Sequence, residues 1–522
     1  MLVEDEYRFS SSNIKMGCPI GMIGFGNIRS WAKSNRIVLL LLVIIFLGSF
    51  LRIYDLGTES IWYDEAASID GCKQDLASVV QSSGRLHNQP PLYFVLLHCW
   101  MLLFGTSEIA VRSLSAIFGI LSILLIYKIG HQLFSKKVGL ISCFLLAISS
   151  YNINYSQVAR GYSLLLLLTL LSFFFFVEIL KGDKQRKRHF ALLLLSNLGL
   201  AYTHVYGLFV IMGQIFYFIL FWNKYRQQRF WFCGTQVATI ALFSPWIPIF
   251  IGRISALSYG FWIPKPSLSS IGFTIAASSG SGCGRFPLLM AFFLFGLLGF
   301  FSFRSLNGKW TWREPLQSIK GQSWSVSLDS VEEVLLLLIW FFSPILIPFA
   351  ISKFFTPIYS TRYTISATAA MYLLAAKGIS TFTRKKVLYS LVIVIALLSL
   401  PGLQHYYTHD VKQQWRETAN FIESNSQAND IIFICSYNGQ KPFDYYYEGH
   451  LKRFGVDRHV DEASEIVSAI DDAITQKERL WLVLWHARES PIRDYVMDRF
   501  GKDSIVLEKE FVAIEVYLFA TS

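Results

Sequence analysis

Long apolar segments recur along most of the chain and are separated by short polar ones. Many of them reach the roughly 18 apolar residues that suggest a membrane-spanning helix. The pattern predicts a polytopic α-helical membrane protein. Twelve such segments lie near residues 37–54, 90–104, 109–133, 138–150, 161–180, 190–203, 205–222, 231–251, 286–303, 333–351, 363–380 and 387–403.

The positions of Lys and Arg test which of these segments cross the membrane, because the two residues concentrate in short cytoplasmic loops. If every segment crosses, the most basic loop, 181–189, lies outside, together with 223–229 and 384–386. If 90–104 lies along the membrane surface instead, all three loops become cytoplasmic. This segment has about 15 residues, whereas roughly 20 are needed to cross a ~30 Å hydrocarbon core. We therefore predict eleven spans, with a cytoplasmic N-terminus.

This assignment divides the chain into three parts. Residues 1–36 form a cytoplasmic N-terminal segment, and 37–403 form the transmembrane domain. Within it, 55–108 is the first external loop and carries helices at the membrane surface. Residues 404–522 form a domain on the external side.

The pattern of this last part differs from that of the spans, because its apolar runs shorten to strand length. Segments with helical spacing alternate with strand-like runs, which predicts a small α/β domain. The predicted helices are 411–425 and 461–476, and the predicted strands are 430–436, 479–485, 504–508 and 512–520.

Composition supports a membrane location. Hydrophobic residues make up 53% of the chain and its mean hydropathy is +0.42, more apolar than soluble domains usually are. The formal net charge of +11 comes from loop residues, and no nucleic-acid-binding module is recognisable. We predict a multi-pass protein of the cell membrane without a nucleic-acid partner. The seven cysteines have no CxxC spacing; whether Cys72 and Cys283 are bridged stays open.

The predicted topology collects polar residues on the external face, while the spans carry almost no charge at mid-depth. Ion-coupled transporters usually need ionisable groups near the midplane, so a transporter is disfavoured. The residues that share the external face are Asp64, Glu65, His87, Asn88, Arg160, His204, Lys353 and Arg362.

Such a cluster suits a charged, lipid-anchored substrate, for example a sugar on a polyprenyl phosphate. A carboxylate would take the proton from the acceptor hydroxyl, and cations would stabilise the charge growing on the leaving phosphate. Arginine fits phosphate because its planar fork matches the oxygens. One carboxylate, together with one Arg or Lys group that binds the phosphate, is enough for a single-step, inverting transfer.

Each of these residues also has a plainer explanation. Asp64 and Glu65 can be solvated acids on an interfacial helix, and the arginines and Lys353 can anchor spans at the interface. A lone histidine is weak support for a site. At the level of the whole protein, a transporter or lipid flippase and a non-enzymatic membrane scaffold stay open.

Several sequence segments, in this order and spacing, resemble glycosyltransferase family 39 of the GT-C superfamily. Its members include protein O-mannosyltransferases and lipid A aminoarabinose transferases. The segments are 61-IWYDEA-66, 87-HNQPPLYFVLLHCWMLLFGTSEIAVRSLSAIFG-119, 155-YSQVARGYSLLLLL-168, 203-THVYGLF-209, 360-STRYTIS-366 and 414-QWRETANFI-422.

The resemblance implies a membrane glycosyltransferase that uses a polyprenyl-phosphate-linked hexose or pentose on the non-cytoplasmic face. It implies that Asp64 or Glu65, with Asp64 preferred, is the catalytic base. A donor-phosphate site would involve Arg362 and Tyr363. The remaining candidates for that site are Arg160, His87 and Lys353, and those for the wider active face are His204, Asn88 and Tyr155.

The expected partners are the donor lipid, membrane lipids and an acceptor that is a glycan, a lipid or a protein. Aminoarabinose transferases carry a Lys before the matching Pro, whereas this chain has 88-NQPP-91, which does not favour lipid A as acceptor. The loop 252–285 lacks the second acidic pair of the eukaryotic O-mannosyltransferases, so a protein acceptor is not supported either. No cofactor is certain. A divalent cation at Asp64 and Glu65 stays open, although two carboxylates are few ligands for one.

Overall fold

In a computed structural model of the chain, the described residues up to 425 are almost entirely helical. The structure describes residues 35–86, 89–182, 186–249, 251–252, 263–280, 286–300, 304–305, 324–325, 328–435, 437–456, 479–485 and 491–520. A two-residue antiparallel ladder joins 304–305 to 324–325. The helices of this part are α1 (Arg36–Ile53), α2 (Tyr63–Cys72), α3 (Leu76–Leu86), α4 (Leu92–Phe104), α5 (Glu108–Leu133), α6 (Lys136–Ala147), α7 (Ser150–Ser156), α8 (Tyr162–Lys181), α9 (Arg186–Thr203), α10 (Val205–Leu220), α11 (Arg229–Phe243), α12 (Leu268–Ser278), α13 (Phe286–Phe300), α14 (Leu328–Phe354), α15 (Thr368–Ser380), α16 (Lys385–Thr408) and α17 (Trp415–Asn425).

Six described helices are long and apolar enough to cross a membrane. They are α1, α5, α8 and α16, the stretch Arg229–Ile249, which begins with α11 and continues beyond it, and Val331–Phe354 of α14. Helices α6 and α7 are together long and apolar enough, but they are bent by 63° at the break between them, as in a broken span or a re-entrant loop. The chain is therefore a multi-pass membrane protein. The other predicted spans fall on α9, α10, α13 and α15, which are shorter or less apolar than these six, so the count of eleven stays a prediction.

The segment between α1 and α5 folds into three short helices instead of a span. Helix α4 has 13 residues and is therefore about 20 Å long, too short to cross a ~30 Å core. It buries Tyr93, Phe94 and Leu97 against its neighbours, while Leu102 and Leu103 are about three-quarters exposed. Helix α15, which lies on a predicted span, also has 13 residues, so the surface location of 90–104 stays a prediction.

The C-terminal part is a five-stranded mixed sheet with helices on both faces. The strand order is β2-β1-β3-β5-β4; β2, β1 and β3 are parallel, whereas β5 is antiparallel to β3 and β4. Its elements are β1 (Ile431–Cys435), α18 (Gln440–Tyr446), β2 (Lys452–Val456), β3 (Arg479–Trp485), α19 (Pro491–Phe500), β4 (Ile505–Phe511) and β5 (Ile514–Ala520).

Burial on both faces explains the continuous apolar runs of β1 and β3. One face packs on Trp415, Ala419 and Ile422 of α17, and the other on Met497 and Phe500 of α19. The four predicted strands are present. The edge strand β2 was not predicted because it is half polar, and the predicted helix 461–476 lies outside the described residues.

The C-terminal domain lies against the chain that leads into α2. Arg416 donates hydrogen bonds to the carbonyl oxygens of Thr58, at 2.8 Å, and Gly57, at 3.0 Å. The backbone N–H of Ile61 donates to the hydroxyl of Tyr446 at 2.6 Å. The first loop and the last domain are therefore joined by direct contacts.

Candidate active site

The first turn of α2 carries the acidic pair. The helix begins at Tyr63, after Trp62 in an extended conformation with φ −94° and ψ 172°. Asp64 and Glu65 lie where the helix dipole favours carboxylates. Successive helical residues point about 100° apart, so the side chains of Tyr63, Asp64 and Glu65 leave the helix in three directions and meet different partners.

Asp64 forms an ion pair with Arg362, the cation that the resemblance assigns to the donor phosphate. Arg362 Nη1 donates to Asp64 Oδ2 at 2.8 Å, and the two side chains retain 18% and 17% of their exposure. The guanidinium lies over the rings of Trp62, at 5.8 Å, and Tyr363, at 5.3 Å, an arrangement that favours a cation. The pair is thus fixed in place and still open on one side.

Glu65 has a different environment, because it is fully buried in an ion pair with Arg112. Arg112 Nε and Nη2 donate to its two oxygens at 2.9 and 2.8 Å, and the backbone N–H of Ala159 adds a third bond at 2.8 Å. Burial alone would raise the pKa of Glu65, but Arg112 and Lys412 hold it below its ordinary value.

Arg112 uses its remaining N–H groups to fix the chain that precedes α2. Its Nη1 donates to the carbonyl oxygens of Leu56 and Glu59 at 3.0 and 2.8 Å, and its Nη2 donates to that of Ser60 at 2.9 Å. The guanidinium has no donor left for a ligand. This pair therefore suits anchoring of α2 better than proton transfer.

Arg160 lies beside Asp64, in the turn between α7 and α8. Its Nη1 donates to Ser68 Oγ at 3.1 Å and reaches the backbone oxygen of Asp64 at 3.4 Å. The side chain is 5% exposed and lies over the ring of Phe94 at 5.7 Å. Its Nε is buried without a hydrogen-bond partner.

His204 caps the N-terminus of α10, and this contact fixes its tautomer. The backbone N–H of Tyr206 donates to His204 Nδ1 at 3.1 Å, so Nδ1 carries no proton and the neutral ring carries it on Nε2. Burial, with Arg160 and Arg362 nearby, lowers the pKa of His204 to about 3. Its Nε2 is buried without a partner, so the ring presents a neutral N–H donor.

Aromatic rings connect His204 to the arginines. Tyr363 packs on His204, with ring centroids 4.7 Å apart, and on Tyr162 at 6.1 Å. Tyr155 packs on the other side of Tyr162 at 5.0 Å. The hydroxyl of Tyr162, like Arg160 Nε and His204 Nε2, is buried without a partner. Buried polar groups are normally hydrogen-bonded, so three unsatisfied donors in one neighbourhood indicate a place for a ligand with several acceptor oxygens.

The structure brings together Asp64, Arg160, His204 and Arg362, which the sequence placed on one face, and Tyr363, which the resemblance added. Tyr155 joins this group through Tyr162, and Lys353 is exposed near the end of α14. His87, Asn88 and Cys283 lie outside the described residues, and Cys72 is a free, buried thiol. Among the described residues, no group of three His, Cys, Asp or Glu side chains is placed to hold a metal ion. Since both oxygens of Glu65 are bound to Arg112, the acidic pair does not fit a divalent cation.

Sequence reasoning missed Arg112 and Tyr162. Arg112 lies four positions into the apolar helix α5, and a charged residue in such a segment needs a partner. That signal pointed to a buried acid, although not to which one. Tyr162 is one of 25 tyrosines, and only its unsatisfied hydroxyl distinguishes it.

Two comparisons with known proteins bear on the family and the fold. Residues 88–249 match the family model described as dolichyl-phosphate-mannose-protein mannosyltransferase, which is less than a third of the chain. No curated protein matches the sequence.

Solved structures match over nearly the whole chain. ArnT from Cupriavidus metallidurans, in the apo state, has a TM-score of 0.57 at 11% identity over 93% of this chain and 98% of that chain. The same protein bound to undecaprenyl phosphate has the same score and identity, over 94% and 99%. An Archaeoglobus fulgidus oligosaccharyltransferase with a tethered acceptor peptide has a TM-score of 0.51 at 12% identity, over 90% and 71%. At these identities the likeness shows the fold, and it confirms the GT-C architecture with its C-terminal domain.

Proposed function

We propose that the protein is a glycosyltransferase that moves a sugar from a polyprenyl-phosphate donor to an acceptor at the membrane face that carries Asp64. The observation that carries the proposal is the Asp64–Arg362 ion pair, at 2.8 Å, beside the buried and unpartnered donors of Arg160, His204 and Tyr162. Similarity to ArnT bound to undecaprenyl phosphate supports the choice of donor.

In the proposed reaction, Asp64 takes the proton from the acceptor hydroxyl while the acceptor oxygen attacks the anomeric carbon. The bond from that carbon to the phosphate oxygen breaks, and the electron pair stays on the phosphate. Arg362 and Arg160 stabilise the added charge. One displacement inverts the anomeric centre. Glu65 does not act as a nucleophile, because Arg112 occupies both of its oxygens.

Donor binding would also free the base. Without a ligand, Arg362 donates to Asp64. A phosphate placed beside Arg362 competes for the same guanidinium, because bidentate binding of phosphate is favoured by its planar fork. Once Arg362 turns to the phosphate, the carboxylate is available to accept a proton. The exchange makes deprotonation of the acceptor depend on the presence of the donor.

Transfer from labelled polyprenyl-phosphate sugars, hexoses and pentoses in turn, tests the proposal in membranes that contain the protein. We expect the labelled sugar to leave the donor lipid, and Asp64→Asn and Arg362→Ala to slow this by at least about 100-fold. Asp70→Asn is the matched control, since Asp70 lies at the other end of α2 and pairs with Lys441 at 3.0 Å. Transfer that survives in both site variants would overturn the assigned roles.

The same assay separates the alternatives. A flippase would move the labelled lipid between leaflets without breaking its sugar–phosphate bond, and a scaffold would do neither. Arg186→Cys tests the orientation: a membrane-impermeant thiol reagent that modifies this position from outside the cell would contradict the eleven-span topology. Comparing the donor-lipid pool of a deletion strain with that of its parent would identify the sugar.

A further inference from the structure

The strand order of the C-terminal sheet creates a crevice at a particular place. From β1 the chain passes to β2 on one side, whereas β3 lies on the other side of β1. In open α/β sheets, ligands bind outside the carboxyl ends of the strands where the order reverses in this way. In this protein, a side chain of α2 contacts the residues at that point.

That side chain is Tyr63, the neighbour of Asp64. Its ring centroid lies 5.4 Å from that of Trp485, the last residue of β3, and its hydroxyl donates to Asn438 Oδ1 at 3.0 Å, just after β1. Its backbone N–H donates to Gln413 Oε1 at 3.3 Å, an oxygen that also accepts from Trp415 Nε1 at 2.9 Å. We call Asn438, Trp485 and Gln413 the Tyr63 socket.

The Tyr63 socket and the partners of Glu65 hold α2 from nearly opposite sides. Residues two positions apart on a helix point about 200° apart, so Tyr63 and Glu65 leave α2 on nearly opposite sides. Tyr63 is held by the C-terminal domain, and Glu65 is held by Arg112 and Ala159 of the helical domain. Asp64 projects between them. Rotation of α2 about its axis would break one contact or the other.

We propose that the C-terminal domain helps to position the catalytic base, because its Tyr63 socket and the Glu65–Arg112 pair together fix the direction of the Asp64 side chain. The proposal rests on the role of Asp64 as the base. Asn438 and Trp485 are then positioning residues, which act on the reaction through Tyr63 without touching substrate. A domain that only covered the transmembrane domain would not need direct contacts with Tyr63, the residue before the base.

Turnover and donor binding should respond differently to changes in the socket. We expect Tyr63→Ala to lower kcat about 100-fold, since misplacing a catalytic group by about 1 Å has an effect of that order. Tyr63→Phe, which keeps the ring contact and loses one hydrogen bond, should lower kcat about fivefold. Binding of sugar-free polyprenyl phosphate should be unchanged in both variants.

Lys441→Ala is the matched control, because it removes another contact between the C-terminal domain and α2, at the far end of the helix. It should turn over as the unaltered protein does. Wild-type kcat in Tyr63→Ala, or an equal loss in Lys441→Ala, would overturn the proposal.

A second readout does not depend on transfer. With Asp64→Cys in place, the rate at which a charged thiol reagent modifies the new cysteine reports where position 64 points. We expect this rate to change when Tyr63→Ala is added and to stay constant with Lys441→Ala. Equal rates in all three proteins would overturn the proposal that the Tyr63 socket orients position 64. If no donor supports transfer by the unaltered protein, the proposed function fails, and the labelling rates still decide whether the socket orients position 64.

Discussion

Two adjacent carboxylates of α2 have opposite surroundings. Every oxygen of Glu65 has a hydrogen-bond donor, and every N–H of its partner Arg112 has an acceptor. Around Asp64, by contrast, the pair with Arg362 is partly exposed and three nearby donors have no acceptor. A complete set of partners stabilises a fold, whereas an incomplete set, buried at some cost, is what a ligand can complete. The difference lies in the partners, since the two acids share charge, helix and turn.

The largest expected effect is the loss of transfer activity when Asp64 is substituted, and the corresponding substitution at Glu65 provides the comparison. We expect Asp64→Asn to lower transfer about 10²- to 10⁴-fold, the usual contribution of a general base, while its free energy of unfolding changes by less than about 1 kcal/mol because the lost pair is partly exposed. Transfer assays and thermal unfolding in detergent measure both. Glu65→Gln should show the reverse, with stability falling further than the rate.

Arg112→Ala should cost about 3–5 kcal/mol of unfolding free energy, because it leaves the Glu65 carboxylate buried without its cation. Denaturant unfolding in detergent would show this. Lys441→Ala, which breaks a more exposed pair, should cost less than about 1 kcal/mol. If the two variants lost equal amounts of unfolding free energy, the Glu65–Arg112 pair would not have the structural role assigned to it.

The pH dependence of stability tests whether His204, one of the unpartnered donors near Asp64, is neutral in the folded protein. Because the pKa of His204 is lowered to about 3 in the folded protein, only the unfolded chain takes up this proton as the pH falls below about 6.5. The contribution of His204 is therefore complete above that pH and is lost as the pH falls toward 3. At pH 5 the loss should be about 2 kcal/mol, and His204→Asn should remove that part of the slope. A slope that is the same in both proteins would show that the histidine is charged when folded.

The smallest effect concerns His204 Nε2 as a donor to the phosphate. His204→Asn keeps an N-cap, since Asn is among the best capping residues, but its shorter side chain withdraws the donor. We expect the Kd for polyprenyl phosphate to rise about tenfold, because a hydrogen bond to a charged acceptor contributes at least about 1.5 kcal/mol. His204→Ala should weaken binding similarly and also lower stability by about 1 kcal/mol through loss of the cap. Unchanged affinity in both would remove His204 from the site.

Sequence patterns were sufficient for the elements that depend on local periodicity. The apolar helices, the short helix α4 and four strands of the C-terminal sheet follow from the spacing of apolar residues. The edge strand β2 does not, because Lys452 and Arg453 give it no apolar run, and its place in the sheet comes from pairing with β1.

The site was predictable as a set of residues on one face, but not as a set of contacts. The sequence near Glu65 does not predict its partners, Arg112, which is 47 positions away, and the N–H of Ala159, which is 94 positions away. The distinction between the two acids depends entirely on these distant partners. The same holds for Tyr63, whose socket is more than 300 positions further along.

The junction between the first loop and the C-terminal domain also has a consequence for biosynthesis. Ser60 pairs with Glu417 across 357 positions, and β5, in the interior of the sheet between β3 and β4, is synthesised after every other described element. At about 5–20 residues per second, the ribosome needs on the order of 20–70 s to make the partner of a loop that it has already released. During that interval α2 has Arg112 but not its Tyr63 socket. A nascent chain therefore holds Asp64, the proposed base, without one of the two contacts that fix α2 until translation of the sheet is finished.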